Sequence, residues 1–461
     1  MLTKQKTFET FDLVRKHSKA DETELIISGA KSSLTRFANN TITQNVSEEN
    51  YVLSVRVNLD GKTARATTNK FDVDSIRRVV ESATTLARVQ EPDADLMPMP
   101  DRSAFDPSGP VVARTYFETA SIGPRERAQG VALMVGVAKK HDLNAAGTYA
   151  TGESVEAILN SKGLNAYHTQ TFSEASITMI GEDSSGWQKA TYPDVRDLNP
   201  QQLAEVAAEK AITSKHPKEL PPGKYTVILE PAAVLDLVGF MFWDWGGQAI
   251  LDERSFLNNR IGERLFGENI TITDDVYHPL QTGCPFDGEG VRRKRVPLVE
   301  NGVVKRLVFA RGTAEKIKHS EFADKIGSVE PTGHGFPIPN EIGEMPSNIV
   351  FASPADQAKT VDQMIASTER GILVTRLWYI REVDPYEKML TGMTRDGTFL
   401  VENGKLQNGL LNFRFNQSLI HMLNNVEAMG EAVRASGEES FDMVVPAMKV
   451  SDFNFTEVTK F

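Results

Sequence analysis

Few residues in this chain have the type and spacing that chemistry requires. His278 lies close to Asp274 and Asp275, Asp287 and Glu289 flank Gly288, and His334 sits in TGHGFP. Carboxylates two apart in a glycine-containing turn can hold a hard cation, but more often they bond the backbone of their own turn. Serine, histidine and aspartate are all present, yet no Gly-x-Ser-x-Gly elbow marks a nucleophile. The pairs Gly288/Gly290 and Gly333/Gly335 lack the strand-then-helix setting of a nucleotide loop. Cys284 is the only cysteine, which rules out an intrachain disulfide and a cysteine-rich zinc site. A reducing compartment is therefore expected.

The stretch FMFWDWGGQAI, residues 240–250, is conspicuous for a different reason. It holds Trp243 and Trp245 with Asp244 between them and Gly246-Gly247 behind, but no Cys, His, Ser or Lys. Two indoles at that spacing cannot share one helix face. Leu235, Val238, Phe242 and Trp245 make an apolar stripe that leaves Trp243 and Asp244 off it. The stretch reads either as a packed core helix or as the wall of a site.

The elements that must position these residues follow from periodicity. Apolar residues Ile76, Val79, Val80, Ala83, Leu86 and Ala87 predict a helix with Asp72 or Asp74 as cap. Pro124 opens a second helix carrying Ala128, Val131, Ala132, Val135 and Ala138. Asn199 and Pro200 open a third, which must end before Pro217. A fourth is expected from a Ser353 cap, with Pro354 inside it, to a stop at Gly371.

Between the helices the period falls to two. Residues 51–68 predict a hairpin around Asp60-Gly61. Residues 145–192 predict several short strands punctuated by Gly152, Gly163, Gly181 and Gly186. The order helix, strands, helix thus occurs twice, which suggests two α/β lobes at residues 1–110 and 111–220. Strands dominate from Pro221-Pro222-Gly223 onward, giving a β-rich region over 221–461 and an α+β class overall. Two copies of Val-Glu-Asn-Gly, at Val299 and Val401, predict matching hairpins in one large sheet or barrel.

Charge excludes some partners. The 461 residues carry 51 Lys and Arg against 62 Asp and Glu, a net charge of -11. Such a surface repels nucleic acid and anionic lipid. The basic run Arg292, Arg293, Lys294, Arg295 reads as a solvated edge at the approach to a strand. The first residues lack the apolar core of a signal peptide. The longest apolar run, 231–243, is broken by Asp236 and is shorter than the roughly 20 residues of a membrane span. A cytoplasmic location is expected.

Five segments resemble the TldD/PmbA family, also called modulators of DNA gyrase. They are SLTRFANNTITQNV (33–46), RSFLNNRIGERLFGENITITDD (254–275), PFDGEGVRRKRVPLVENGVVKRLVF (285–309), TGHGFP (332–337) and LTGMTRDGTFLVENGKL (390–406). They occur in the family's order across most of the chain. The resemblance implies an N-terminal α/β region, a C-terminal barrel-like domain, and a dimer that encloses a chamber. In catalytic members it implies a zinc ion held by His-Glu-x-x-x-His on a helix and by a cysteine near the C-terminus, acting on extended peptides.

The helix that should carry that motif precedes RSFLNNRIGE, and no histidine occurs between His216 and His278. Cys284 lies well before ESFDMVVPAMKVSDF, residues 439–453, where the family's cysteine belongs. No catalytic residue, metal ligand or cofactor is therefore assigned to this chain. A catalytic zinc ordinarily needs three protein ligands and an open position.

The resemblance is to the PmbA (TldE) half of a two-subunit protease. It implies a noncatalytic subunit paired with a zinc-motif-bearing TldD-like homologue, zinc residing in that partner and unfolded peptides as substrate. The alternatives are a standalone peptide-binding homodimer, or an active metallopeptidase with relocated ligands. Nothing in this acidic sequence supports an action on gyrase.

The residues expected to line the chamber or touch substrate are Trp243, Asp244, Trp245, His334, Trp378, Arg395 and Asp396. GILVTRLWYIREVDP, residues 371–385, is a candidate chamber strand, with Trp378 or Tyr379 as a pocket wall and Arg376 or Arg381 reaching solvent. In TGMTRDGTF, residues 391–399, Arg395 and Asp396 read either as contacts or as an ion pair within a turn.

Overall fold

The structure is a computed structural model and describes residues 2–106, 108–110, 112–353 and 356–459. The first half repeats one pattern. Helix α1 (Lys4–His17), strands β1 (Glu22–Ala38), β2 (Thr41–Leu59) and β3 (Lys62–Thr68), and helix α2 (Val73–Val89) form the first unit. A single turn α3 (Phe117–Ala120) precedes the second unit. That unit is α4 (Pro124–Lys140), β4 (Asn144–Asn160), β5 (Asn165–Ile180), β6 (Ser185–Tyr192) and α5 (Pro200–Thr213).

The six strands join in one antiparallel sheet of order β3-β2-β1-β4-β5-β6. β1 pairs with β4 from Glu24↔Asn160 to Phe37↔Gly147. Leu25 and Ile27 pack under α1 and α2, and Phe37 packs under α4 and α5. Odd residues of one strand share a face, so all four helices cover the same side.

Local rules account for most of these elements. The Asp72 carboxylate accepts the Ser75 N–H, and Asn199 accepts that of Gln202, each capping its helix. Asp60 and Gly61 both adopt positive φ, as a tight hairpin turn requires. Two details differ from the sequence expectation. Leu86 and Ala132 face solvent, at the margin of their helices' buried stripes. The region 145–192 is three strands, two of them long, and Gly152 and Gly186 lie inside β4 and β6 rather than at turns. Both allow close approach: a Cβ at Gly152 would sit 2.6 Å from the Phe172 ring, and one at Gly186 would collide with the backbone of α5.

The second half is built on a closed barrel. Strands β7 (Gly223–Leu229), β12 (Arg370–Asp384), β13 (Met389–Glu402), β15 (Phe413–Ser418) and β19 (Met448–Val458) run in the order β12-β7-β19-β15-β13, and β12 pairs with β13 to close it. β14 (Lys405–Gly409) and β16 (Val426–Met429) attach to β13 and β19. A second sheet has the order β10-β9-β8-β11-β18-β17. Its strands are β8 (Ile272–Asp274), β9 (Val296–Glu300), β10 (Val303–Val304), β11 (Ile349–Phe351), β17 (Val433–Ala435) and β18 (Met443–Val445). Short helices fill the connections: α6 (Pro231–Val238), α7 (Gly247–Leu251), α8 (Arg311–Lys318), α9 (Ala323–Ile326), α10 (Val361–Ala366) and α11 (Leu419–Asn424). Among the described residues, no helix is long and apolar enough to cross a membrane.

The two Val-Glu-Asn-Gly copies are indeed hairpins, with positive φ at Asn301-Gly302 and Asn403-Gly404. They do not share a sheet. The first joins β9 to β10 in the second sheet and the second joins β13 to β14 beside the barrel. Turn chemistry sets the reversal but not the sheet that receives it.

The fourth helix is also shorter than expected. Lys359 N–H is tied to Met429 O, and the Thr360 hydroxyl caps α10 by accepting the Gln363 N–H at 3.2 Å. Gly371 belongs to β12, and Pro354 lies outside the described residues. The basic run is not merely a solvated edge. Arg292 stacks on Phe105 at 4.6 Å, Arg293 donates to Ser347 Oγ at 2.8 Å, and Lys294 and Arg295 stay exposed, Lys294 pairing with Glu330 at 3.0 Å.

Candidate functional site

Helix α6 leaves the end of β7 and is buried on every side. Val234, Leu235, Leu237 and Val238 are fully buried. So is Asp236, whose Oδ1 accepts the N–H groups of Glu438 at 3.2 Å and Glu439 at 3.0 Å. Burial pushes the Asp236 carboxyl up to about 7, while those two N–H groups oppose the shift. A Cβ at Gly437 would collide with Asp236, and one at Gly239 would run into Ser440. The helix preceding RSFLNNRIGE is thus pressed against the segment that opens ESFDMVV.

Beyond Val238 the chain tightens into a 3₁₀ turn, Gly239–Asp244, and the two indoles part. Trp245 is fully buried and donates its Nε1–H to Arg306 O at 3.0 Å. It packs on Phe242, Phe256 and Phe266 with ring centroids 5.6–6.5 Å apart. This corrects the expectation that Trp245 lines a chamber: it belongs to the stripe with Leu235, Val238 and Phe242, all buried. Gly247 follows because a Cβ there would lie 2.6 Å from the Phe309 ring. Trp243 points the other way and is 49% exposed.

Trp243 and Asp244 open onto a cleft of about 490 Å³, opposite the turn between β12 and β13. That turn is set by Asp384, whose carboxylate accepts the N–H groups of Tyr386 and Glu387. It brings Tyr386 to the rim, 50% exposed, and folds Lys388 inward to 2% exposure. Lys388 adopts a left-handed φ of 46°. Its ammonium contacts the Asp244 carboxylate and lies 2.6 Å from Glu382 Oε1. Burial raises the Asp244 carboxyl above its usual range, and Lys388 works against that shift. Phe240, Pro385, Glu253 and Arg254 complete the cleft.

Trp378, Arg395 and Asp396 form a separate constellation. A register shift in β12 and the positive φ of Asp396 and Gly397 turn the Asp396 carboxylate inward. Arg376 clasps it through two N–H groups, one at 2.9 Å, and Ser185 of β6 donates to its other oxygen at 2.7 Å. The Arg376 guanidinium lies over Trp187 at 4.8 Å. Of the two arginines expected at solvent, Arg381 reaches it and Arg376 is buried, its pair with Asp396 joining the first sheet to the barrel. Arg395 stacks on Trp378 at 4.8 Å and remains half-exposed. The Arg395–Asp396 contact, at 3.6 Å, lies within a strand rather than in a turn.

The remaining sequence candidates lie away from both constellations. His334 is buried, with Nδ1 bonded to Thr332 Oγ1 at 3.0 Å and Nε2 to Asp274 Oδ1 at 2.9 Å. It lines no chamber, contrary to expectation. Burial works against Asp274 ionising, yet His334, Arg293 and the Asn348 N–H hold its carboxyl below the ordinary value. Asp274 thus partners His334 rather than His278.

Asp287 accepts the N–H groups of Glu289 and Val291 in its own loop and that of Gly335, so it pins the TGHGFP segment to that loop. Glu289 accepts the Arg311 N–H at 3.0 Å. Glu344, which the sequence did not single out, accepts from Gln248 and Ala310 and ties the starts of α7 and α8 together. Burial raises the Asp287 carboxyl, with the Glu289 carboxylate adding to the shift, and drives Glu344 up to about 7. Burial also raises the Cys284 thiol, which packs beside Phe286.

Among the described residues, no group of three or more His, Cys, Asp or Glu is arranged to hold a metal ion. The junction of α6 with residues 437–443 does not suit zinc. Its carboxylates are already engaged: Asp236 accepts two backbone N–H groups, Glu439 accepts the Tyr379 N–H and Asp442 pairs with Arg434, while neither segment holds a histidine or cysteine.

Comparison with known proteins decides the family. Three PmbA/TldA metallopeptidase family models match in order: domain 1 over residues 23–87, the central domain over 124–215 and the C-terminal domain over 222–457. The chain belongs to the TldD/PmbA family. It is 22% identical to the metalloprotease PmbA of Escherichia coli O157:H7 over 417 residues, covering 87% of this chain and 85% of that one. It is 25% identical to a metalloprotease of Methanothermobacter thermautotrophicus over 309 residues, 62% of each chain. The match with an uncharacterized protein of Methanocaldococcus jannaschii, at 25% identity, spans 56% of this chain and 60% of that one.

The fold of this TldD/PmbA member matches TldE from Thermococcus kodakarensis with a TM-score of 0.83 at 18% identity, over 99% of this chain and 100% of that one. It matches a proposed modulator of DNA gyrase from Thermotoga maritima with a TM-score of 0.82 at 21% identity, over 98% and 99%.

Proposed function

We propose that this chain is the noncatalytic, TldE-like subunit of a TldD/PmbA-type metallopeptidase, acting with a zinc-motif-bearing homologue on unfolded peptides in the cytoplasm. One observation carries the reading. The two segments where family resemblance places the zinc ligands are packed against each other, and neither contributes an imidazole or a thiolate. In their place stand a backbone-committed Asp236, the half-exposed Trp243, and an Asp244 neutralised by Lys388. In this reading the cleft of Trp243 and Tyr386 holds peptide while the partner supplies zinc and the attacking water. A net charge of -11 favours peptides over nucleic acid as the ligand.

Gel filtration and metal analysis test the assignment. This chain and a homologue carrying His-Glu-x-x-x-His are purified separately and mixed. The expected outcome is a mixed dimer with zinc bound in proportion to the homologue alone. Stoichiometric zinc in this chain by itself would overturn the proposal.

A further inference from the structure

The cleft beside Trp243 has a definite chemical bias. Its ionisable lining is Asp244, Glu253 and Glu382 against Arg254 and Lys388, so acid outnumbers base. Arg254 is half-exposed and shares its Nε–H with Asp252 at 3.3 Å. Lys388 is buried between two carboxylates. An acidic group entering the cleft therefore faces Asp244 and Glu382 beside an ammonium they already share, with Arg254 as the one partly free cation of the lining.

A basic group is received differently. Glu382 is 32% exposed and accepts from Lys388 through Oε1, while its Oε2 accepts no hydrogen bond among the described residues. The apolar wall is Phe240, Trp243 and Pro385, with Tyr386 at the rim. An aliphatic stem can lie along such a wall while its charged end reaches a carboxylate. The half-exposed Trp243 indole adds cation–π attraction. Tyr386 already carries Arg260 on one face at 3.8 Å, an example of the same contact within this chain.

We propose that the cleft between Trp243 and Glu382 is a subsite for a lysine or arginine side chain of a bound peptide. It rests on the reading of the chain as a peptide-holding subunit and adds the class of residue it selects. The selecting groups are Glu382 for charge and Trp243 for the stem.

The test uses three short unstructured peptides that differ at one central residue: lysine, its uncharged isostere norleucine, or glutamate. Binding to the purified full chain is measured by calorimetry. The lysine peptide is expected to bind about tenfold tighter than the norleucine peptide, with the glutamate peptide weakest. Glu382→Gln should remove most of the lysine preference while leaving norleucine binding unchanged. Trp243→Ala, at an exposed position, should weaken both peptides and the lysine peptide more, reducing the preference, and serves as the second variant if Glu382→Gln does not fold.

Equal affinity for lysine and norleucine, no binding of any peptide, or a preference untouched by both variants would overturn the proposal. The subunit assignment fails separately, through zinc content and complex formation with the homologue, neither of which depends on lysine selection.

Discussion

Asp244 and Lys388 form a buried ion pair at the floor of the cleft, and Glu382 shares the same ammonium at 2.6 Å. Removing one partner leaves a charge without compensation in a site of low dielectric. Lys388→Met should cost roughly 3–5 kcal/mol. The double variant Asp244→Asn with Lys388→Met should cost clearly less than Lys388→Met alone. Urea denaturation of the three proteins checks this, and a double variant at least as unstable as the single one would contradict it.

Trp243 and Trp245 should behave as opposites despite their spacing. Trp245→Ala removes a fully buried indole and its hydrogen bond to Arg306 O, and should cost roughly 3–5 kcal/mol. Trp243→Ala should change stability by no more than about 0.5 kcal/mol. It should also move the protein's fluorescence to shorter wavelength, because an exposed indole is lost. Thermal melts and emission spectra of both variants distinguish the two roles.

Asp236 makes a prediction about pH. Its carboxyl is pushed from 3.8 up to about 7 in the folded chain by burial. The folded state then binds its proton more tightly than the unfolded state does. Its contribution to stability is therefore greatest below about pH 4 and declines as pH rises towards about 7. Burial raises the Asp287 and Glu344 carboxyls in the same direction. Asp236→Asn should remove one share of that decline, giving a shallower fall in stability between pH 5 and pH 8 than wild type. Parallel slopes for the two proteins would count against it.

The Arg376–Asp396–Ser185 chain ties the first sheet to the barrel. Lysine cannot reproduce the two-pronged donation or the stacking on Trp187. Arg376→Lys should cost roughly 1–3 kcal/mol. Ser185→Ala should cost about 1 kcal/mol. Both act through one carboxylate, so a double-mutant cycle should show them to be coupled. Strict additivity would mean the clasp is not shared.

What could be read in the sequence was what local rules fix. The caps Asp72 and Asn199, and the three hairpin turns with left-handed Asp or Asn before Gly, need only their neighbours. The stripe of Leu235, Val238, Phe242 and Trp245 followed from spacing alone, and so did the expulsion of Trp243. What escaped was set by partners distant in sequence. Lys388, Glu382 and Tyr386 carried no signal, because only the barrel's closure brings the β12–β13 turn opposite Trp243. His334 looked reactive in TGHGFP, but Asp274 and Thr332 use both ring nitrogens. The fourth helix was overdrawn because the backbone tie of Lys359 to Met429 delays its start until the Thr360 cap.

Hydrolysis of an unfolded protein substrate tests whether this chain is a noncatalytic subunit. It is measured with this chain alone, with the zinc-motif-bearing homologue alone, and with the two mixed. This chain should show no turnover, and the mixture should turn over substrate well above the rate of the homologue alone. Chelator-sensitive turnover by this chain alone would contradict it.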